Sequence, residues 1–144
     1  MNIFVLDYCP IRAAQMQCDK HVVKMPLETA QLLCAVYPTG KAPYKRTHYN
    51  HPCTVWARLS KENYLWLIEH GLALSDEYTF RYGKIHKSRE VIIWCQRNIK
   101  LLDFKQNAKT HFTLCFDEKY KIGNAVDSYR EYYKREKYKI AQWN

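Results

Sequence analysis

The sequence predicts a mostly α-helical, compact single domain with a short extended segment at its N-terminus, on three observations. Its 144 residues suit one domain spanning 1–144. Hydrophobic residues make up 47% of it, with only four glycines and five prolines, so folding can bury enough apolar surface to offset the lost chain entropy. Apolar positions recur at three-to-four spacing between Pro, Ser and Asn start signals and Gly stops.

Residues 2–6 (NIFVL) form an apolar run ended by Asp7 and read as a buried extended segment. Pro10 fits the first position of a helix, where its missing N–H is not needed. Helix-prone sequence runs from Ile11 to about Val36, and Pro26 within it predicts a kink or break. Pro38, Gly40 and Pro43 mark a loop that continues through Lys45 and Arg46 to His51. Pro52 opens the next helix, with Asn50 or His51 near its cap, and Val55, Trp56, Leu59, Trp66, Leu67 and Leu74 supply a buried face. Ser75-Asp76-Glu77 reads as a fresh cap, Gly83 as a stop and Ser88 as another start. Residues 99–123 show no period beyond a turn near Asp117-Glu118-Lys119. Asn124 caps a last helix with Val126, Tyr129, Tyr133 and Ile140 on one side.

Twenty-three Lys and Arg against fourteen Asp and Glu leave a formal charge of +9, which calls for an anionic partner such as nucleic acid or a nucleotide. Aromatic residues reach 15% and include twelve tyrosines, suited to base stacking as well as to core packing. The six cysteines form no C-x-x-C pair and follow no signal peptide, so reduced, mostly buried thiols in a cytoplasmic protein are expected. No run approaches the roughly 18 apolar residues of a membrane span. Zinc-type spacing is lacking and no carboxylate sits near His48 and His51, so no metal and no cofactor are expected. Nucleophile-elbow, P-loop and dinucleotide-binding motifs are absent. Self-association is left open.

Three segments carry candidate chemistry. His21, Lys24 and Glu28 share one helical face, with Lys20 beside them. An imidazole, an amine and a carboxylate are what acid–base and covalent catalysis require, although such a stripe equally describes a solvated face. In the segment 47–52, His48 and His51 flank Asn50; they suit metal-free phosphodiester cleavage as base and acid, or else a capping motif. Arg81, Tyr82, Lys84 and His86 offer guanidinium, amine and stacking groups for phosphate and base, or else complement a helix dipole. Arg58 is a further phosphate-binding candidate. Trp56 reads as core, His70 and His111 as structural, and Tyr129 to Arg135 as either a basic aromatic surface or a packed face.

The stretches DKHVVKMPLETAQLL, THYNHPCTVW, EYTFRYGKIH and SYREYYKREK resemble, over nearly the whole chain, small proteins of tailed phages grouped with pyrimidine-dimer DNA glycosylases. The resemblance implies an all-α fold that excises a damaged base by cleaving its N-glycosidic bond, then cleaves the strand through a Schiff base. It implies as nucleophile the α-amine exposed when Met is removed before a small residue, assisted by a glutamate of the first helix. Asn2 is not small, so Met1 is expected to stay, and Lys24 or Lys20 to take the amine role with Glu28 or Asp19 as acid. A second reading of the same residues is a phage anti-defence protein that sequesters or cleaves a nucleotide immune signal, such as a cyclic dinucleotide or a cyclic ADP-ribose-like molecule. Both require the first helix and the two downstream segments to meet around one positively charged hollow.

Overall fold

The computed structural model describes residues 1–137 and 140–143, which form six α-helices and no strand. The helices are α1 (Pro10–Gln15), α2 (Asp19–Ala35), α3 (Pro52–Leu59), α4 (Lys61–Tyr82), α5 (Arg89–Arg97) and α6 (Ala125–Glu136). Single 3₁₀ turns span Ile99–Leu101 and Glu118–Tyr120. The long α4 is the axis, packed against α1, α2, α3 and α5. It buries Tyr64, Leu67, Ile68 and Leu74 completely, at about 1.5–3 kcal/mol for each apolar side chain removed from water.

Two expected helix boundaries lie elsewhere. Helix α2 continues through Pro26 without a break; burial of Met25, Pro26, Thr29 and Ala30 outweighs one lost backbone bond. The break falls instead at residues 16–18, where distant groups take up the freed backbone. The Tyr133 hydroxyl accepts from the Cys18 N–H at 2.7 Å, and Arg81 donates to the carbonyls of Gln15 and Gln17. Ser75 caps nothing: it is buried mid-helix and donates to the Gly71 carbonyl at 3.1 Å, so α4 continues to Gly83, whose φ of 69° ends it.

The expected caps at residues 51 and 124 form. His51 Nδ1 accepts from the Cys53 N–H at 3.1 Å, and Asn124 Oδ1 accepts from the Asp127 N–H at 2.8 Å. Helix α6 ends at Glu136, so Ile140 lies beyond it. The aperiodic stretch after α5 is fastened by side chains rather than by repeat. Asn63 donates to Thr110 Oγ1 and accepts from the Thr110 N–H, while the Lys61 and Glu62 N–H groups donate to the carbonyls of Gln106 and Asn107.

Gly71 sits where α2, α4 and α5 cross. A Cβ there would stand 2.8 Å from Thr29 Cγ2 and 3.0 Å from Ile92 Cδ1. Alanine normally strengthens a helix interior relative to glycine by up to about 1 kcal/mol, but overpacking here outweighs that gain. Gly71→Ala is expected to lower the unfolding free energy by about 1–3 kcal/mol in urea titrations; a stabilised variant would contradict this packing.

Candidate active site

The site begins with the first six residues. Ile3, Phe4, Val5 and Leu6 are buried although no strand receives them; the Leu6 N–H turns back to the Phe4 carbonyl at 2.9 Å, and side chains meet other polar groups of the segment. Asn2 Oδ1 accepts from the Ile3 N–H and from the Tyr129 hydroxyl, each at 2.8 Å, and Asn2 Nδ2 donates to the Cys115 carbonyl at 3.2 Å. Gln17 donates to the Ile3 carbonyl, and Arg130 to the Leu6 carbonyl. Phe4 takes a left-handed φ of 58°, unusual for a side chain of this size.

This threading carries the α-amine of Met1 to 3.8 Å from Glu28 Oε1. From the other side Lys24 Nζ reaches to 3.4 Å from Glu28 Oε2. Glu28 is 9% exposed, and a carboxylate so enclosed needs such partners to remain charged. The three groups wall a hollow of about 250 Å³ together with Asn2, Phe4 and His21, closed opposite by Cys115, Tyr132 and Lys137. Larger grooves occur elsewhere, such as that of about 700 Å³ beside Ile11, Ala73 and Phe80. The chemistry, not the size, singles out this one.

His21 lies flat on the Phe4 ring, centroids 4.2 Å apart. The Tyr133 hydroxyl, which accepts from the Cys18 N–H, also shares a hydrogen bond with His21 Nδ1 at 2.8 Å. Burial first, then the positive Lys137 and Lys24, lower the His21 pKa to about 4. The His21 ring is therefore neutral at neutral pH.

His51 stands close by in electrostatic reach. Burial, then the Met1 ammonium and His48, lower its pKa, and Glu28 acts against them. A side-chain ligand atom from each of His51, Cys53 and Cys115 lies within 4.8 Å of the others. With its Nδ1 lone pair engaged by the Cys53 N–H, the neutral ring carries its proton on Nε2. His48, exposed with a φ of 52°, bonds Thr47 Oγ1 through Nδ1, and its ring centroid is 6.5 Å from that of His51.

The remaining sequence candidates do not line the hollow. Arg81, expected to hold phosphate, is a fastener: its side chain is 2% exposed and pairs with Asp19 at 3.0 Å and Glu77 at 2.8 Å. It also binds the two carbonyls at the α1–α2 break, so both Arg81 and Asp19 are committed away from the amines. His86 donates from Nε2 to the Val23 carbonyl and accepts from the Ser88 N–H. Tyr82 packs beside Tyr78, and Lys84 is exposed past the end of α4. Arg58 covers the Tyr49 ring at 3.8 Å with Arg46 near its centroid at 4.2 Å. Asn50 is exposed in the turn before α3, and Lys20 on the surface of α2. His70 is the buried structural ring expected, donating to the Pro10 carbonyl and accepting from Gln17. Sequence reasoning missed Met1, Asn2, Cys115, Tyr132 and Lys137; no local pattern distinguishes them, although burial of residues 2–6 hinted that the chain's start lies inside.

The fold and the hollow thus define an all-α protein with two amines on one buried carboxylate. The pyrimidine dimer DNA glycosylase family matches residues 1–91, more than half of the chain and the part holding Met1, His21, Lys24, Glu28 and His51. The chain belongs to that family. Searches of curated proteins and of solved structures find no match. Among the described residues no helix is long and apolar enough to cross a membrane.

Two predictions follow from the buried groups. Burial lowers the pKa of His70, like that of His21, to about 4, while unfolded histidine titrates near 6.5. The unfolded chain therefore binds more protons below pH 6.5. Stability is full above that pH and falls progressively toward pH 4, by on the order of 3 kcal/mol per ring at most. Urea titrations at several pH values should show this slope, and it should shrink in His70→Gln. Arg81→Ala, which removes a buried guanidinium from half-buried Asp19 and Glu77 and from two backbone carbonyls, is expected to lose about 1–3 kcal/mol in the same assay at neutral pH.

Proposed function

We propose that this protein is a DNA glycosylase with lyase activity, cleaving the N-glycosidic bond of a damaged nucleotide through an amine held against Glu28. The observation that carries the reading is the flanking of one enclosed carboxylate by the Met1 α-amine and Lys24 Nζ. A neutral amine attacks C1′ of the damaged nucleotide, and the base departs with the bonding pair and takes up a proton. The amine loses its proton, for which Glu28 is the nearest acceptor, and the sugar ring opens to a Schiff base. Loss of the C2′ proton then expels the 3′ phosphate. Throughout, the Glu28 carboxylate offsets positive charge developing on the sugar and on nitrogen.

The arrangement favours the α-amine over the lysine as nucleophile. Met1 is enclosed, its side chain 5% exposed, whereas that of Lys24 is 69% exposed at the rim. Lys24 then serves as the cation that receives a phosphate. The neutral His21 ring offers a hydrogen bond to the sugar or leaving base. Net charge of +9 supports a nucleic acid partner. The hollow of about 250 Å³ falls below the roughly 300–1,000 Å³ of pockets that enclose a free ligand. A sugar presented by DNA fits that size better than a sequestered dinucleotide.

Borohydride trapping on duplex DNA with an abasic site or a pyrimidine dimer tests this. A covalent adduct is expected, and its digest should place the DNA on the N-terminal peptide. Lys24→Ala should keep the adduct and weaken binding; an added residue ahead of Met1 should remove it. Glu28→Gln should lower strand cleavage by about 10²–10⁴-fold. An adduct on Lys24 would transfer the nucleophile's role to the lysine, and no adduct with any of these duplexes would sink the reading.

A further inference from the structure

Behind the Met1 side of the hollow lies a pair of thiols that the amine chemistry leaves unused. Cys53, in the first turn of α3, and Cys115, in the segment after the 3₁₀ turn at 99–101, have sulfur atoms 3.3 Å apart. A disulfide needs about 2.05 Å, so closing one requires a shift of little more than an ångström. The two thiols differ in environment. Cys53 is fully buried, while Cys115 is half-buried and its side lines the hollow.

We propose that Cys53 and Cys115 form a peroxide-reactive dithiol in which Cys115 is the attacking and Cys53 the resolving thiol, closing to a disulfide in the wall of the hollow. The Cys115 thiolate attacks one oxygen of the peroxide, forming an S–O bond as the O–O bond breaks and hydroxide leaves. The Cys53 sulfur then attacks the resulting sulfenic acid, and its own proton leaves with the expelled oxygen as water, while the proton released when Cys115 ionised neutralises the hydroxide. Two thiols are oxidised to one disulfide, and one peroxide is reduced to two waters.

The electrostatics assign those roles in the same order. A hydrogen bond from Cys53 leads, opposed by burial and joined by Thr113, the Met1 ammonium and Lys121, in holding the Cys115 thiol down to about 7. Donating that bond and being buried push the Cys53 thiol up. A half-exposed thiolate beside positive charge is the setting in which cysteines react. The other close pair serves as an internal contrast. Cys34 and Cys95 lie 3.7 Å apart, but both are buried in the core, out of reach of a dissolved oxidant. Cys9 is exposed without these neighbours.

This inference stands on the thiol geometry and not on the glycosylase reading, so the two fail separately. The purified full chain is treated with stoichiometric hydrogen peroxide at pH 7, then alkylated, digested and mapped without reduction. The expected first product is a Cys53–Cys115 disulfide, with loss of two hydrogens in the intact mass and reversal by dithiothreitol. Cys53→Ser should stop at a Cys115 sulfenic acid captured by dimedone, and Cys115→Ser should abolish both products while leaving the Cys34 and Cys95 thiols intact. A Cys34–Cys95 disulfide as the first product, or oxidation confined to Cys9, overturns the proposal. Tight uptake of one equivalent of zinc that protects both thiols overturns it too, making the cluster with His51 a metal site instead.

Discussion

Residues 1–6 are buried without being part of any sheet, and the rest of the molecule accommodates that burial. A chain segment removed from water must find a partner for every backbone N–H and carbonyl. Here Gln17 from the α1–α2 break and Arg130 from α6 donate to the Ile3 and Leu6 carbonyls, and Tyr129 of α6 steadies the Asn2 side chain that accepts from the Ile3 N–H. The charged end of the segment has the same need. Met1 brings an ammonium group inward, and Glu28 meets it from the middle of α2. A carboxylate placed on a helix face so that it receives the chain's amine couples folding to chemistry, because the groups that neutralise each other's burial are also the groups able to react.

The same constraint explains features that look local. Helix α2 starts afresh at Asp19 because Tyr133 captures the Cys18 N–H, and the captured hydroxyl in turn orients His21. Arg81 closes the opposite side of the break by binding two carbonyls and two carboxylates at once. A guanidinium presents five donors in a rigid fork, so one buried arginine can hold two helices and the joint between them. Its charge is consumed internally, and the surface excess of positive charge falls to lysines and to exposed arginines such as Arg12, Arg130 and Arg135.

Much of the architecture was legible residue by residue. Pro10, Pro52 and Gly83 mark helix ends through their own backbone restrictions, and Asn124 through its side chain, so their neighbourhood suffices to read them. Pro26 and Ser75 mislead for the converse reason. Each is a local preference of about 1–3 kcal/mol, and packing against other helices outweighs it. The stripe of His21, Lys24 and Glu28 was visible as a helical face, but the same pattern describes a solvated surface. Arg81 and His86 have the residue types of phosphate ligands and serve instead as internal ties, a distinction made by partners tens of residues away.

The sequence by itself determined the helical class, the positive charge, the segment able to hide at the N-terminus and the stripe of reactive side chains on α2. These depend on composition and on contacts within a turn or two of helix. Only the tertiary structure decided which amine faces Glu28, which protonation form His21 adopts and which cysteines become neighbours. Each of those outcomes is an interaction between residues remote along the chain, such as Met1 with Glu28, His21 with Tyr133 or Cys53 with Cys115, and a distance in space between such residues is set by packing rather than by local spacing.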